Sequence, residues 1–323
     1  MSVFNQLLPD FICDVVASQG YDPTGALYQL NSYENRVYEI KLERGNSLIA
    51  KFYRPGRWSR DTLTDEHRVL KLLEEAEVPV VRPLILQQHT GCETLAQADA
   101  YFYCFYKKFG GRCEQDLSLD HLKWMGRTLA RLHNITADAN LKNRIPLNTE
   151  TYGDQQMDAI FDRNYLPKDL RANLEEIFHR CLDFIDPILN QDWQCFAVHG
   201  DCHLGNVLWD LKGPTLVDFD DMVIAPAVQD IWMLFNGTAA EQAAQQEAFF
   251  EGYEMFLPFD YRELGLVEPL RTLRMIRHAA WIGERFEEEI FKRTFPYYPE
   301  RNYWEDFLLS MKEQLGALCY PER

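Results

Sequence analysis

The hydrophobic pattern of this chain changes near residue 105, and this change limits the folds that it can adopt. Between residues 37 and 42 apolar and polar side chains alternate, which is typical of a half-buried strand. Arg44-Gly-Asn-Ser is typical of a turn, and residues 48–53 follow as a second strand, so a hairpin is predicted. The run 100–106 predicts a further, buried strand. The first third of the chain is therefore expected to be rich in β-structure.

Apolar residues at helical spacing predict the helices. A stripe that begins after Ser59 contains Leu63, Glu66 and Leu70, so the Glu66 carboxylate is expected to point inward with the leucines. After a glycine-containing turn the pattern is mainly helical. Three later segments are predicted to be helices: residues 122–132, residues 167–190 with a break or bend near Pro187, and most of residues 226–323.

These patterns predict an α+β fold with two lobes. We expect residues 1–105 to form a small β-rich N-terminal lobe and residues 113–323 a larger, mainly helical C-terminal lobe. Residues 106–112, which include two glycines, are predicted to be the hinge. A cleft between two such lobes is a common place for a ligand, so we expect the functional site there.

The composition limits the partners of the protein. Asp and Glu number 50 against 33 Lys and Arg, and the resulting net charge of −17 argues against nucleic acid as a partner. The first residues do not resemble a secretory signal, and no apolar run approaches the ~18 residues of a membrane helix. The eight cysteines lack C-x-x-C spacing and are expected to be reduced thiols. We therefore expect a cytoplasmic protein with no membrane partner.

The densest group of reactive side chains begins at His199-Gly-Asp201 and continues through Asn206 to Asp218. Asp201 and Asn206 share one loop, and Asp218 follows a short apolar strand. An Asp, an Asn five residues later and a second Asp are typical of phosphoryl transfer. The first Asp takes or orients the proton of the attacking hydroxyl, and the other two residues hold Mg²⁺ against the nucleotide phosphates. We predict Asp201 and Asp218 as catalytic residues, Asn206 and Asp218 as metal ligands, and Mg²⁺ and ATP as cofactor and co-substrate.

Lys51 lies in a predicted half-buried strand. A buried lysine is unfavourable unless it is paired, and the inward-pointing Glu66 is the natural partner. A strand lysine paired with a helix glutamate is required at a kinase-type nucleotide site. The sequence therefore predicts that Lys51 and Glu66 form an ion pair beside the ATP phosphates.

Other residues near this motif have simpler interpretations. Asp220 and Asp221 are interpreted as a solvated turn, and His199 is expected to pack beneath the loop and to hydrogen-bond the backbone. His199, Asp201 and His203 at alternate positions would also suit a metallohydrolase, which is kept as an alternative. The chain lacks G-x-x-x-x-G-K-[ST], G-x-G-x-x-G, G-x-S-x-G and H-E-x-x-H, which disfavours Walker-type ATPases, Rossmann dehydrogenases, α/β-hydrolases and zincins.

These motifs resemble the eukaryotic-like kinase superfamily in its aminoglycoside phosphotransferase and choline kinase branch. His199-Gly-Asp201 with Asn206 corresponds to H-R-D-x-x-x-x-N, and Val217-Asp218-Phe219-Asp220 corresponds to D-F-G. From about residue 28 to 308 the chain further resembles bacterial stress-response kinases of that superfamily, through the segments Leu30-Asn-Ser32-Tyr-Glu-Asn35-Arg-Val-Tyr, Ala50-Lys51-Phe-Tyr-Arg-Pro, Glu66-His67 and Val228-Gln-Asp230-Ile-Trp-Met-Leu.

The resemblance implies a two-lobed kinase fold and ATP-dependent phosphorylation of serine or threonine in proteins, with autophosphorylation, as part of a bacterial stress response. It implies that Ser32, in a loop replacing the glycine-rich one, contacts ATP, and Asn35 of the same loop is also expected at the nucleotide. We expect a monomer. A small-molecule kinase acting on an aminoglycoside, amino alcohol or sugar is the alternative, and the acidic chain is compatible with a cationic acceptor. A non-catalytic pseudokinase is disfavoured because every catalytic position carries the right residue type.

The sequence also departs from ordinary protein kinases. Gly200 replaces the Arg before the catalytic Asp, Asp220 replaces the glycine of D-F-G, and no A-P-E segment follows. Regulation through an activation-loop phosphate bound by that Arg is therefore not expected.

Overall fold

A computed structural model describes residues 3–320, and these residues form two compact units that alternate along the chain. The first unit contains the described part of Met1–Arg144, together with Phe196–Met222 and Met233–Phe259. The second contains Ile145–Cys195, Val223–Trp232 and the described part of Asp260–Arg323. The lobe and hinge boundaries expected from the sequence remain predictions.

The first unit is built on an antiparallel sheet of five strands in the order β1-β2-β3-β5-β4. The expected hairpin is formed by β2 and β3, with Val37 opposite Lys51. Gly45 in its turn has a φ of 81°, a left-handed conformation that favours glycine. The five strands are β1 (Pro23–Gln29), β2 (Arg36–Leu42), β3 (Ser47–Phe52), β4 (Ala96–Ala98) and β5 (Tyr101–Lys107).

The two faces of this sheet have different surroundings. Helix α1 (Pro9–Ser18) contributes Ile12 and Val16 to a core that includes Ala50 and Phe52 of β3. Because side chains alternate along a strand, Lys51 points to the opposite face. The central strand β3 therefore presents a lysine on the face opposite to its apolar core.

Helix α2 (Arg60–Glu75) follows β3. Ser59 caps it by accepting the Thr62 N–H at 3.1 Å. Leu63 and Glu66 are both fully buried, so the prediction that Glu66 points inward with the leucines is confirmed. The carboxylate therefore shares the interior with the leucine side chains of its helix.

The rest of the first unit contains two packed helices and three short strands. Helix α3 is capped by Ser118 and buries the expected stripe of Leu122, Met125, Leu129 and Leu132. Strands β7 and β8 form a hairpin, and Leu216 of β8 exchanges backbone hydrogen bonds with Pro79 and Val81. These elements are α3 (Leu119–Thr136), β6 (Phe196–Val198), β7 (Val207–Asp210), β8 (Gly213–Leu216) and α6 (Ala239–Tyr253).

The second unit is mainly helical. Helix α5 packs on α9, and α7 packs on both α4 and α9. Short 3₁₀ turns occupy Ala227–Asp230 and Tyr261–Leu266. The elements are α4 (Gln155–Phe161), α5 (Lys168–Leu189), β9 (Val223–Ala225), α7 (Val267–Arg285), α8 (Glu289–Thr294) and α9 (Arg301–Cys319).

A break or bend was expected in α5 near Pro187, and the break does not occur, because the helix continues to Leu189. Pro187 lies in the last turn and deprives only the Asp183 carbonyl of its helical donor. Asp183 is exposed, so water can replace that donor, while Ile185 stays buried. Among the described residues, no helix is both long and apolar enough to cross a membrane.

Candidate active site

Val217 joins the two halves of the predicted motif. Its N–H donates to the carbonyl of Asn206 at 3.1 Å, and its carbonyl accepts from His199 Nε2 at 2.9 Å. His199 is fully buried, so the prediction that it packs beneath the loop and hydrogen-bonds the backbone is confirmed. These contacts hold the segment that leads into Asp218 against the loop that carries Asp201 and Asn206.

Asp201 and Asn206 lie at opposite ends of one tight loop. The Asn206 side chain donates from Nδ2 to the Asp201 carbonyl at 3.0 Å, which fixes the loop and leaves its amide oxygen as an acceptor. The Asp201 carboxylate is partly exposed and lies 3.4 Å from His203 Nε2. The carboxylate is therefore accessible to a hydroxyl group, whereas its backbone is held by the loop.

Asp218 has a backbone conformation that is unusual for a residue other than glycine. Its φ of 63° and ψ of 65° are left-handed, and such strained residues concentrate at functional sites. Its side chain is 46% exposed, and its Oδ1 accepts a hydrogen bond from Lys51 Nζ at 2.8 Å. Lys51 and Asp218, which are 167 positions apart in the sequence, thus form a contact within the first unit.

Lys51 is buried among carboxylates. Its Nζ lies 3.9 Å from Glu66 Oε1, so the predicted ion pair is present, although Asp218 is closer. Burial alone would lower the pKa of Lys51, but Asp218, Asp220 and Glu66 together raise that pKa above its ordinary value. Lys51 therefore stays charged in an interior position that faces the motif.

Glu66 is held by two hydrogen-bond donors and one further ion pair. Tyr53 donates its hydroxyl to Oε1 at 3.2 Å, and Arg144 Nη2 lies 3.4 Å from Oε2, in addition to the contact with Lys51. Burial raises the pKa of Glu66, and the Lys51 and Arg144 cations counteract this shift. The side chain of Arg144 is itself fully buried, so it acts as a second cation on the helix carboxylate.

The interpretation of Asp220 and Asp221 as a solvated turn is wrong for Asp220, which is 2% exposed. Arg57 pairs with Asp220 Oδ2 and, at 2.6 Å, with Asp221 Oδ1. The backbone carbonyl of Asp220 accepts from Arg144 Nη1 at 2.8 Å. A buried carboxylate needs cations close by, and Arg57 at Oδ2 and Lys51, 3.8 Å from Oδ1, provide them, while Arg144 holds the backbone of the same residue.

Ser32 and Asn35, which lie between β1 and β2 and are expected to contact the nucleotide, differ in their exposure to solvent. Ser32 is partly exposed, whereas Asn35 is 1% exposed. Asn35 donates to Asp220 Oδ2 at 3.2 Å and accepts the Arg54 N–H at 3.1 Å. The Asn35 side chain therefore connects this loop to the segment after Asp218, and the roles of both residues remain predictions.

The predicted metal ligands are suitable for magnesium in their chemistry. Mg²⁺ takes oxygen ligands and commonly uses one or two from the protein, with water and phosphate oxygens supplying the rest. The amide oxygen of Asn206 and the exposed carboxylate of Asp218 fit that pattern. Within residues 3–320 no group of three or more His, Cys, Asp and Glu side chains is arranged to hold a metal ion.

Sequence reasoning missed Arg57 and Arg144. Neither belongs to a periodic stripe or a spaced motif, and their partners lie up to 164 positions away. For Asp220 a signal did exist, because an acidic residue stands where kinases place a glycine. The missed residues thus surround the predicted ones and hold them in place.

Comparison with known sequences links this geometry to an enzyme family. The phosphotransferase enzyme family matches residues 28–267. Stress response kinase A of Escherichia coli K12 is 34% identical over 318 residues, which cover 98% of this chain and 95% of that protein. The serine/threonine protein kinase RdoA of Salmonella typhimurium LT2 is 35% identical over the same shares of both chains.

Solved structures show the fold. An amicoumacin kinase in complex with AMP-PNP, Ca²⁺ and Ami superposes with a TM-score of 0.75 at 16% identity, covering 97% of this chain and 94% of that one. A microcompartment-associated aminopropanol kinase gives a TM-score of 0.71 at 18% identity, and the match covers 95% of this chain and 98% of that one. At these identities the similarity concerns the fold alone, and it confirms the predicted α+β, kinase-like fold class.

Proposed function

Because the chain belongs to the phosphotransferase enzyme family and is an ATP-dependent kinase, we propose that it transfers the γ-phosphoryl group of ATP to a serine or threonine hydroxyl of a protein. The main support for phosphoryl transfer is the hydrogen bond of Lys51 to Asp218 at 2.8 Å, beside the loop that contains Asp201 and Asn206. These are the residue types that phosphoryl transfer requires, and they converge from separate parts of the chain.

The catalytic role falls to Asp201. Its partly exposed carboxylate accepts the proton of the acceptor hydroxyl, or orients that hydroxyl, as it attacks the γ-phosphorus. The hydrogen bond from Asn206 to the Asp201 carbonyl holds the backbone from which this carboxylate extends. Positioning and electrostatics provide most of the rate enhancement in this class of reaction.

The nucleotide is held by contacts to its phosphates and by the metal ligands. Lys51 directs its charge to the phosphates and Ser32 contacts ATP, while Asn35 positions the loop between β1 and β2 through Asp220. Asn206 and Asp218 hold magnesium, which when bound neutralises the phosphate charge. Mg²⁺ is proposed because both ligands offer oxygen.

The protein acceptor is supported by the relatives that cover nearly the whole chain. One of them, at 35% identity over 98% of this chain, carries the name of a serine/threonine protein kinase. The second candidate is a small-molecule kinase, which the solved amicoumacin and aminopropanol kinases favour at 16% and 18% identity. The relatives named as stress-response or protein kinases share about twice that identity, so the protein acceptor is the better-supported proposal.

Incubation with γ-labelled ATP and Mg²⁺ tests both the reaction and the acceptor. We expect label on serine or threonine of the protein itself and of proteins in a bacterial lysate. Asp201→Asn should lower the rate by roughly 10²–10⁴, about 3–5 kcal/mol of barrier, because the hydroxyl loses its proton acceptor. Affinity for Mg·ATP, measured by calorimetry, should stay within a few-fold of wild type.

Three outcomes would contradict parts of this proposal. Turnover of Asp201→Asn near the wild-type rate would remove Asp201 from the mechanism. Labelling of an aminoglycoside, amino alcohol or sugar without any labelled protein would favour the small-molecule kinase. Absence of both Mg·ATP binding and label transfer by wild type would refute the kinase proposal itself.

A further inference from the structure

We propose that Asp220 is a positioning residue that holds Lys51 while Asp218 is engaged by the metal. This inference rests on the proposed function, because it concerns how the same site changes from its free state to its nucleotide-bound state. It assigns a role to the acidic residue that replaces the glycine of the D-F-G pattern.

The contacts of Asp220 leave one oxygen directed at Lys51. Its Oδ2 is occupied by Arg57 and by Asn35 Nδ2. Its Oδ1 is buried and accepts no hydrogen bond from any residue that the structure describes, and Lys51 Nζ lies 3.8 Å from it. A buried carboxylate oxygen without a donor is unfavourable, so a small displacement of Lys51 toward Asp220 would be stabilising.

Lys51 must exchange partners when the nucleotide binds. In the structure its closest contact is Asp218 Oδ1 at 2.8 Å, but the proposed function requires Asp218 to hold a divalent cation. A carboxylate shared with magnesium attracts a neighbouring ammonium group less, because the two cations repel each other. Besides the phosphates that the proposed function assigns to it, Lys51 therefore needs a protein carboxylate close by that holds it in place.

Asp220 is better placed for this than Glu66. Glu66 Oε1 lies 3.9 Å from Lys51 and already accepts the Tyr53 hydroxyl, and its Oε2 faces Arg144. Asp220 Oδ1 is at a similar distance and has its acceptor capacity unused. The lysine can therefore move between two carboxylates of the same segment, Asp218 and Asp220, without leaving the interior.

The charges around the site are consistent with this exchange. Four cations contact four buried or partly buried carboxylates in this cluster. The cations are Lys51, Arg54, Arg57 and Arg144, and the carboxylates are those of Glu34, Glu66, Asp220 and Asp221. These eight groups balance each other without Asp218. The carboxylate of Asp218, whose side chain is 46% exposed, is the additional anion of the cluster, so binding a cation there leaves the buried charges balanced.

A double-mutant cycle on nucleotide affinity tests the proposal. The dissociation constant of AMP-PNP with Mg²⁺ would be measured by calorimetry for wild type, Asp220→Asn, Lys51→Met and the double variant. With Lys51 present, we expect Asp220→Asn to weaken nucleotide binding roughly tenfold, because Lys51 then remains on Asp218. In the Lys51→Met background the same change should weaken binding less than about twofold. A purely structural effect of Asp220, acting through Arg57, would weaken binding equally in both backgrounds.

Asp221→Asn is the matched control. It removes a carboxylate from the same Arg57 but leaves Asp220 Oδ1, 3.8 Å from Lys51, in place. We expect its dissociation constant to stay within about twofold of wild type. Thermal unfolding of each variant would establish that the fold persists.

The outcomes separate this inference from the proposed function. Equal losses in the two backgrounds, or equal effects of Asp220→Asn and Asp221→Asn, would overturn the positioning role while the kinase proposal stands. If wild type itself failed to bind AMP-PNP with Mg²⁺, the proposed function would fail before the cycle could be measured.

Discussion

Arg144 shows how much of the site depends on one side chain outside the motif. Its fully buried guanidinium contacts the Glu66 carboxylate and the backbone carbonyls of Asp220 and Met222. It thereby joins helix α2 to the segment that follows Asp218. Arginine suits this position because its planar group offers several donors in fixed directions and keeps its charge when buried.

Replacing Arg144 by Met should destabilise the protein strongly, since Glu66 would remain buried with one cation fewer and two carbonyls would lose a donor. We expect a loss of about 3–5 kcal/mol in the free energy of unfolding, measured by urea denaturation. Arg180→Met is the matched control: Arg180 is 58% exposed and pairs weakly with Glu176 at 4.0 Å, so the change should be below about 0.5 kcal/mol. Similar small changes in both variants would show that the buried cation is dispensable.

At the scale of elements, α3 and α6 approach each other closely because each contributes a glycine to their contact. A Cβ built on Gly126 would lie 2.1 Å from the Phe249 carbonyl oxygen, and one on Gly252 would lie 2.0 Å from the Lys123 carbonyl oxygen. Both clashes are with backbone, which cannot rotate away as a side chain can. The helices are held further by the buried hydrogen bond between His133 Nδ1 and the Tyr253 hydroxyl at 2.8 Å.

Gly126→Ala should therefore lower stability by about 1–3 kcal/mol, because α6 must move away from α3 to admit the methyl group. Gly316→Ala in α9 is the control, since, apart from the neighbouring residues and backbone of α9 itself, no atom of the described residues lies within 4 Å of the added Cβ. There the better helix propensity of alanine should raise stability by roughly 0.5–1 kcal/mol. Thermal or urea unfolding would measure both, and a stabilising effect of Gly126→Ala would contradict the observed packing.

At the scale of the whole molecule, stability should depend on pH through a buried acid of the second unit. Glu263 is 4% exposed and accepts the Val228 N–H at 2.9 Å. Burial raises the pKa of Glu263 from 4.5 to about 7. Between these two values the folded protein holds a proton that the unfolded chain has released, so stability falls as the pH rises. The stability that this proton contributes is complete below pH 4.5 and is lost as the pH rises through about 7.

Glu263→Gln should remove this dependence, because glutamine cannot ionise and still offers an oxygen to Val228. From pH 5 to pH 8 we expect wild type to lose about 2 kcal/mol of unfolding free energy relative to the variant. Urea unfolding of both proteins across that range measures the difference, in which the other titrating groups cancel. A difference that stays constant with pH would show that Glu263 does not titrate in this interval.

Much of the fold could be predicted because local patterns determine which face of an element a residue occupies. Alternation along 37–42 located the hairpin, and the stripe after Ser59 located Glu66 inside the protein. The spacing of Asp201 and Asn206 within one loop required no knowledge of distant segments. The extent of α5 was predicted to within a residue at each end, but the break expected near Pro187 is absent because Pro187 lies in the last turn, where its effect on the helix is small.

The sequence alone determined the residue types of the site and the elements that carry them, because spacing and periodicity are local properties of the chain. Only the tertiary structure decided which charges meet. Asp220 is joined to Asn35 across 185 positions and to Arg57 across 163, and no pattern along the chain encodes such pairs. Burial makes these contacts important for stability, since a charge that is removed from water destabilises the fold unless an opposite charge lies close to it.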